Sequence, residues 1–167
     1  DGIFSDFWQE YGLDSITGNW DYIEPCLFGY ASAKVIENFY EFYAEAKDKI
    51  VAQFHEWMTG SGILYLKKYC PQIATAFTTH ASVLGRCLAG NNMALYSSLQ
   101  YFEGENVANQ FNMRAKYSME KLSALNADVF TTVSEITNKE CEQFFKKSAN
   151  QITPNGFENA FVPKGTD

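Results

Sequence analysis

Residues 37–58, ENFYEFYAEAKDKIVAQFHEWM, decide the fold class, because their apolar positions repeat with a clear period. From Ile36 onward the apolar side chains recur at steps of three and four residues, at Phe39, Tyr43, Ala46, Ile50, Phe54 and Trp57. Such steps place side chains on one face of an α-helix. The following residues 59–62, TGSG, are typical of a helix end. We therefore predict one continuous amphipathic helix through this stretch.

The rest of the chain favours the same period. A second stripe predicts a helix that restarts at Pro71 and ends at Gly90, through Leu66, Cys70, Ile73, Phe77, Ala81, Leu84 and Leu88. A third helical region begins near Asn92 with a break near Gly104, and Thr137 and Glu140 have the spacing of a capping box. No strand-like alternation competes with these patterns. The sequence predicts an all-α fold, an antiparallel bundle of five to six helices, with a single helical domain over residues 1–153 and an irregular tail over 154–167.

Four cysteines, an even number, suggest a disulfide framework. Cys70 and Cys87 would lie at opposite ends of one predicted helix, about 25 Å apart. A disulfide requires Cα atoms within about 7 Å, so that pair is excluded and two connectivities remain. In an up-and-down bundle the preferred connectivity joins Cys26 to Cys87 and Cys70 to Cys141. We predict that these two disulfides cross-link the bundle.

Charge and cysteine content together suggest a location and exclude one class of partner. The formal net charge of −7 repels phosphate backbones, so nucleic acid is not expected as a partner. No apolar run approaches the ~18 residues that cross a bilayer, so no transmembrane segment is predicted. A chain that begins at Asp1 without Met fits a mature product after removal of a leader. With four cysteines, this predicts an extracellular, secreted protein.

Catalytic and metal-binding motifs are not recognised in the sequence. His55 and His80 are the two histidines, and they fall on different predicted helices. We interpret His55 as a solvated surface residue and His80 as a core or boundary residue with a hydrogen-bond partner. No metal-ligand spacing or phosphate-binding loop accompanies them. We therefore predict no catalytic residue, no metal and no cofactor, and a protein that is not an enzyme.

The helix predicted over residues 37–58 carries more aromatic rings than one buried stripe needs. A central helix that touches three neighbours would explain this without a ligand. The other explanation is an aromatic-lined apolar pocket for a fatty acid, sterol or terpenoid. Its predicted lining is Phe39, Tyr40, Tyr43, Phe54, Trp57, Met58 and Phe77, with Lys47 placed to pair with a ligand carboxylate.

The leading functional hypothesis is a secreted, non-enzymatic protein that carries or sequesters such a hydrophobic small molecule. The alternative is an extracellular protein-interaction module, an inhibitor or effector, that binds a protein partner through exposed aromatic anchors. Those anchors would be Phe4, Phe7, Trp8, Tyr11 and Trp20 near the start of the chain, or Phe157 and Phe161 in the tail.

Overall fold

The computed structural model describes residues 2–45, 47–156 and 158. This part of the chain contains both helices and strands. In order they are α1 (Gly2–Tyr11), α2 (Trp20–Tyr43), β1 (Val51–His55), α3 (Glu56–Tyr69), β2 (Ala74–Thr79), α4 (Val83–Gly90), α5 (Leu95–Ser98), a 3-10 helix (Leu99–Tyr101), α6 (Gly104–Gln110), α7 (Arg114–Asn126), β3 (Val129–Thr132), α8 (Glu135–Phe145) and β4 (Gln151–Ile152). None of the described helices combines the length and the apolar character needed to cross a bilayer.

The four strands form one parallel sheet in the order β1-β2-β3-β4. Phe54, Phe77 and Phe130 occupy the same register position on the first three strands. Each crossover steps in the same direction along the sheet, and right-handed crossovers then place their helices on the same face. Consistent with this, α3 packs on β1 and β2, α7 on β2 and β3, and α8 on β3. The described chain is an α/β fold.

The prediction of an all-α bundle was therefore wrong, and the quoted stretch 37–58 shows why. It holds the end of α2, a loop, all of β1 and the start of α3. Within β1 burial alternates residue by residue, with Ala52 and Phe54 buried and Val51, Gln53 and His55 exposed. Apolar residues at steps of three and four run through the end of α2, through β1 and into α3. A strand of five residues is too short to break that pattern. Residues 59–62, predicted to end a helix, lie inside α3.

The two predicted disulfides are absent, because all four cysteines are free thiols. Cys26, Cys70 and Cys141 are buried, and Cys87 is partly buried. Burial raises the pKa of the Cys26 thiol to about 12 and that of Cys70 to about 11. These side chains behave as small apolar core residues. The predicted pairs Cys26 with Cys87 and Cys70 with Cys141 depended on helix positions that the strands displace.

The two faces of the sheet differ in exposure. On one face Ala52, Phe54, Phe77 and Phe130 are buried beneath the helices. On the opposite face Val51 and Val129 are 66% and 43% exposed, and Gln53 and Ala74 are exposed as well. We call these four residues the open face. Thr78 and Thr131 lie on the same side of the sheet and are buried, so the exposure is confined to the part of this side that the four residues form.

The predicted division into residues 1–153 and a tail 154–167 stays a prediction. The described tail residues 154–156 and 158 have no helix or strand. Residues 157 and 159–167 lie outside the described part, and with them the predicted anchors Phe157 and Phe161.

Candidate functional site

The carboxyl ends of β1, β2 and β3 meet at one edge of the sheet, where parallel α/β folds bind their ligands. β1 ends at His55 and is followed directly by Glu56, while β2 ends at Thr79 and is followed by His80. Arg86 lies in the first turns of α4, just beyond His80. We call His55, Glu56, His80 and Arg86 the edge site.

The two histidines contact each other. His55 Nδ1 and His80 Nε2 are 3.0 Å apart, and the ring centroids are separated by 5.3 Å. One of the two facing nitrogens donates and the other accepts, so both cannot carry a proton at the same time. His55 is exposed and His80 is partly buried. The two ring nitrogens outside this contact, His55 Nε2 and His80 Nδ1, remain for hydrogen bonds to a ligand at the edge of the sheet.

Glu56 links His80 to Arg86. Its Oε1 accepts a hydrogen bond of 2.9 Å from the backbone N–H of His80 and lies 3.7 Å from Arg86 Nη2. The backbone of Glu56 has a φ of 62°, a left-handed conformation that non-glycine residues rarely adopt. Such strain persists where the surrounding structure fixes it, and it is concentrated at functional sites.

Two buried carboxyl groups lie behind the edge site. Glu120 of α7 accepts hydrogen bonds from the Val83 backbone N–H at 2.8 Å and from Thr79 Oγ1 at 3.4 Å. Burial is the largest cause that raises the pKa of Glu120, to about 8, and the nearby Glu56 and Glu140 carboxyls add to it. Glu140 of α8 accepts a 2.6 Å hydrogen bond from Ser82 Oγ, and burial raises its pKa as well.

A cavity of about 320 Å³ opens beside the edge site. Its lining is Trp57, Val83, Arg86, Cys87, Met113 and Lys116. Lys116 Nζ lies 5.2 Å from the centroid of the Trp57 ring, a cation–π distance. Lys116 also pairs with Asp21, so Arg86 is the cation on this cavity that is more open to an anionic group such as a phosphate.

The residues predicted to bind a hydrophobic ligand are spread over several elements. Phe39, Tyr40 and Tyr43 lie in α2, where Phe39 and Tyr43 are 55% and 66% exposed. Lys47 is exposed and pairs with Glu45 at 2.8 Å. Phe54 and Phe77 are buried neighbours on β1 and β2.

Trp57 and Met58 begin α3, and of the two only Trp57 reaches the cavity beside the edge site. The structure therefore brings Phe54 to Phe77, two residues that were assigned to different predicted helices, and the predicted ligand pocket stays a prediction. Of the alternative anchors near the start of the chain, Phe7 is fully buried, whereas Trp8 and Trp20 are more than half exposed.

The edge site was missed because the two histidines were assigned to separate helices. A signal for it exists in the sequence. Residues 77–82 read FTTHAS and residues 130–134 read FTTVS, two copies of a strand end followed by a serine. Ser82 and Ser134 are both helix N-caps whose side chains accept from the backbone N–H three residues later. This repeat indicates two parallel strand-to-helix units and places His80 at the end of the first.

Comparison with known proteins identifies relatives of this chain. The family model described as glycogen synthase matches residues 1–162. A "Glycogen [starch] synthase" of Dictyostelium discoideum is 40% identical over 135 residues, 81% of this chain and 15% of that protein. The "Glycogen [starch] synthase, liver" of Mus musculus is 36% identical over 151 residues, 90% of this chain and 21% of that protein. The human liver protein of the same name is 44% identical over 107 residues, 64% of this chain and 15% of that protein. The chain thus spans about a fifth or less of the curated relatives it matches.

These relatives overturn the functional predictions. The relatives are named as synthases, so the prediction of a protein that is not an enzyme was wrong. The secreted carrier of a hydrophobic small molecule and the extracellular interaction module were wrong for the same reason. The extracellular location, which depended on disulfides, is contradicted by the free thiols and by the family. The chain belongs to the glycogen synthase family.

Proposed function

We propose that this chain contributes the edge site to an enzyme that transfers a glucosyl unit from a sugar nucleotide to a growing glucan chain. The observation that carries the proposal is the contact between His55 and His80 at the carboxyl edge of a parallel sheet. Sugar transfer requires groups that hydrogen-bond to hydroxyls and that stabilise the charge of a leaving phosphate. Both kinds of group are present at this edge.

The roles of the individual residues follow from their chemistry. Arg86 is 65% exposed and lines the cavity, so its guanidinium suits the phosphates of the sugar nucleotide, whereas Lys116 on the same cavity is paired with Asp21. His80 is held by Glu56 through its backbone N–H and by His55 through Nε2, which leaves its Nδ1 available to the sugar. Glu56 also lies near the Arg86 guanidinium and helps to orient it. Buried free thiols are typical of proteins in a reducing compartment, so we infer that the reaction takes place inside the cell.

The test is substitution of His80 in the intact protein. With UDP-glucose or ADP-glucose as donor and glycogen as acceptor, His80→Ala is expected to lower kcat/KM by about 100-fold or more, because it removes a group that acts in the transition state. Incorporation of labelled glucose into glycogen measures the effect. The control is Gln9→Ala, at an exposed position of α1. A folded His80→Ala variant with activity within about twofold of the unsubstituted protein would contradict the proposal.

A further inference from the structure

We propose that Glu120 and Glu140 are positioning residues that fix the segment from Thr79 to Val83, and with it His80, at the edge site. The catalytic consequence rests on the function proposed above. The structural part can be tested without substrate.

Glu120 joins the two ends of this segment. It projects from α7 and is fully buried. Its Oε2 accepts from the backbone N–H of Val83, the first residue of α4, at 2.8 Å. Its Oε1 accepts from the hydroxyl of Thr79, the last residue of β2, at 3.4 Å. One carboxyl group therefore spans the turn in which His80 lies.

Glu140 holds the same turn from a second helix. It projects from α8 and is 5% exposed. Its Oε2 accepts from Ser82 Oγ at 2.6 Å, and that hydroxyl oxygen in turn accepts from the Gly85 backbone N–H at 2.9 Å. The carboxyl lies so close to Gly85 that a Cβ at this position would overlap Glu140 Oε2. The cap of α4 is thus built against Glu140.

The anchors surround His80. Thr79, Ser82 and Val83 are held from inside by the two buried carboxyls, and the His80 backbone N–H is held by Glu56 from α3. The turn therefore has little freedom to move relative to α3, α7 and α8. His80 and Arg86 lie on either side of Ser82, the N-cap of α4, and are therefore held in place with it.

The desolvation cost of two buried carboxyl groups supports a role for them beyond stability. A buried carboxyl is expensive to desolvate, and apolar side chains of similar volume often stabilise a core at least as well. Here two buried carboxyls direct their hydrogen bonds to the same short turn. Transfer chemistry requires reacting groups to be held within about 0.5 Å of the productive geometry. Such hydrogen bonds provide that restraint.

The structural test compares Glu120→Ala, Glu120→Asp and Glu120→Gln by NMR. Loss or withdrawal of the acceptor in the Ala and Asp variants is expected to speed amide exchange of Val83 at least about tenfold and to move the ring-nitrogen signals of His80. Gln keeps an acceptor at the same reach and is expected to restore both. Glu142→Gln is the matched control, because Glu142 lies on α8 but is exposed and bonds to Asn138 and Ser148 instead.

The outcomes separate the two proposals. If the Ala variant does not fold, the Asp variant gives the same test, since it keeps the acid and shortens its reach. A folded Ala or Asp variant with unchanged Val83 exchange and unchanged His80 signals overturns the positioning role.

The activity test uses the same variants in the intact protein. In Glu120→Ala and Glu120→Asp, kcat is expected to fall at least about tenfold while KM for UDP-glucose stays within about twofold, and Glu120→Gln is expected to restore kcat. Equal kcat in Asp and control variants also overturns it. Unchanged activity of His80→Ala would instead overturn only the catalytic proposal.

Discussion

At the scale of the residue, Glu120 makes the stability of the fold depend on pH. Its pKa is raised from the ordinary value of 4.5 to about 8, chiefly by burial and further by Glu56 and Glu140. The folded chain therefore binds a proton that the unfolded chain has already released between these two pH values. Stability due to this group is fully present below pH 4.5 and is lost as pH rises through about 8.

Substitution of Glu120 by glutamine is predicted to remove this dependence. Between pH 5 and pH 8 the free energy of unfolding of the unsubstituted protein should fall by up to about 1.4 kcal/mol per pH unit more than that of Glu120→Gln. Urea unfolding at several pH values measures the difference. Glu142→Gln should keep the dependence of the unsubstituted chain. Parallel stability curves for Glu120→Gln and the unsubstituted protein would show that Glu120 ionises normally.

At the scale of the element, α2 and α3 approach closely through small residues. Gly62 of α3 contacts the Phe54 ring of β1, and a Cβ built on it would lie 2.9 Å from the Gly29 carbonyl oxygen of α2. Gly29 itself faces Thr59 and Ser61 across the same contact. Ser61 donates a 2.5 Å hydrogen bond to the Cys26 carbonyl oxygen. The small side chains of 59–62 are thus packing residues of a helix.

Gly62→Ala is predicted to destabilise the protein by about 1 to 3 kcal/mol, because the added methyl overlaps Phe54 and the backbone of α2. Urea unfolding measures the change. Gly90→Ala is the control, since a Cβ at Gly90 meets nothing within 4 Å. Equal stability of the two variants would mean that the α2–α3 contact is loose.

The elements also show how far the sequence could lead. Apolar periodicity predicted helical residues where α2, α7 and α8 lie. The start of α8 was predicted at Thr137, whereas the helix begins at Glu135. The cap is Ser134, whose Oγ accepts from the Thr137 N–H, and Thr137 is the third residue of the helix. The strands were missed because each is only two to six residues long, too few to override a helical period. The edge site depends on strands that meet across about 25 residues of chain, and local patterns do not contain that pairing.

At the scale of the whole molecule, the four thiols report on the integrity of the core. Cys26 and Cys141 lie on α2 and α8, at two distant parts of the sequence, and both are buried. We predict that in the native protein a thiol reagent modifies Cys87 slowly, because it is only partly buried and burial raises its pKa. The other three should react only after unfolding. Four reactive thiols in denaturant without reductant are expected, and fewer would contradict this prediction.

The open face and the border of the sheet beside it are exposed in the described part of the molecule. Consecutive strands add in one direction, and α3, α7 and α8 pack on the sheet between them. Among the described strands, β1 and β4 each have one unpaired border. Within the described residues no strand pairs with the border of β1, and an unpaired border is the geometry that underlies strand addition and edge-to-edge aggregation. A protein prepared with only these residues is therefore expected to pair with other chains along this border and to aggregate. A charged substitution at Val51 is the simplest way to weaken that pairing.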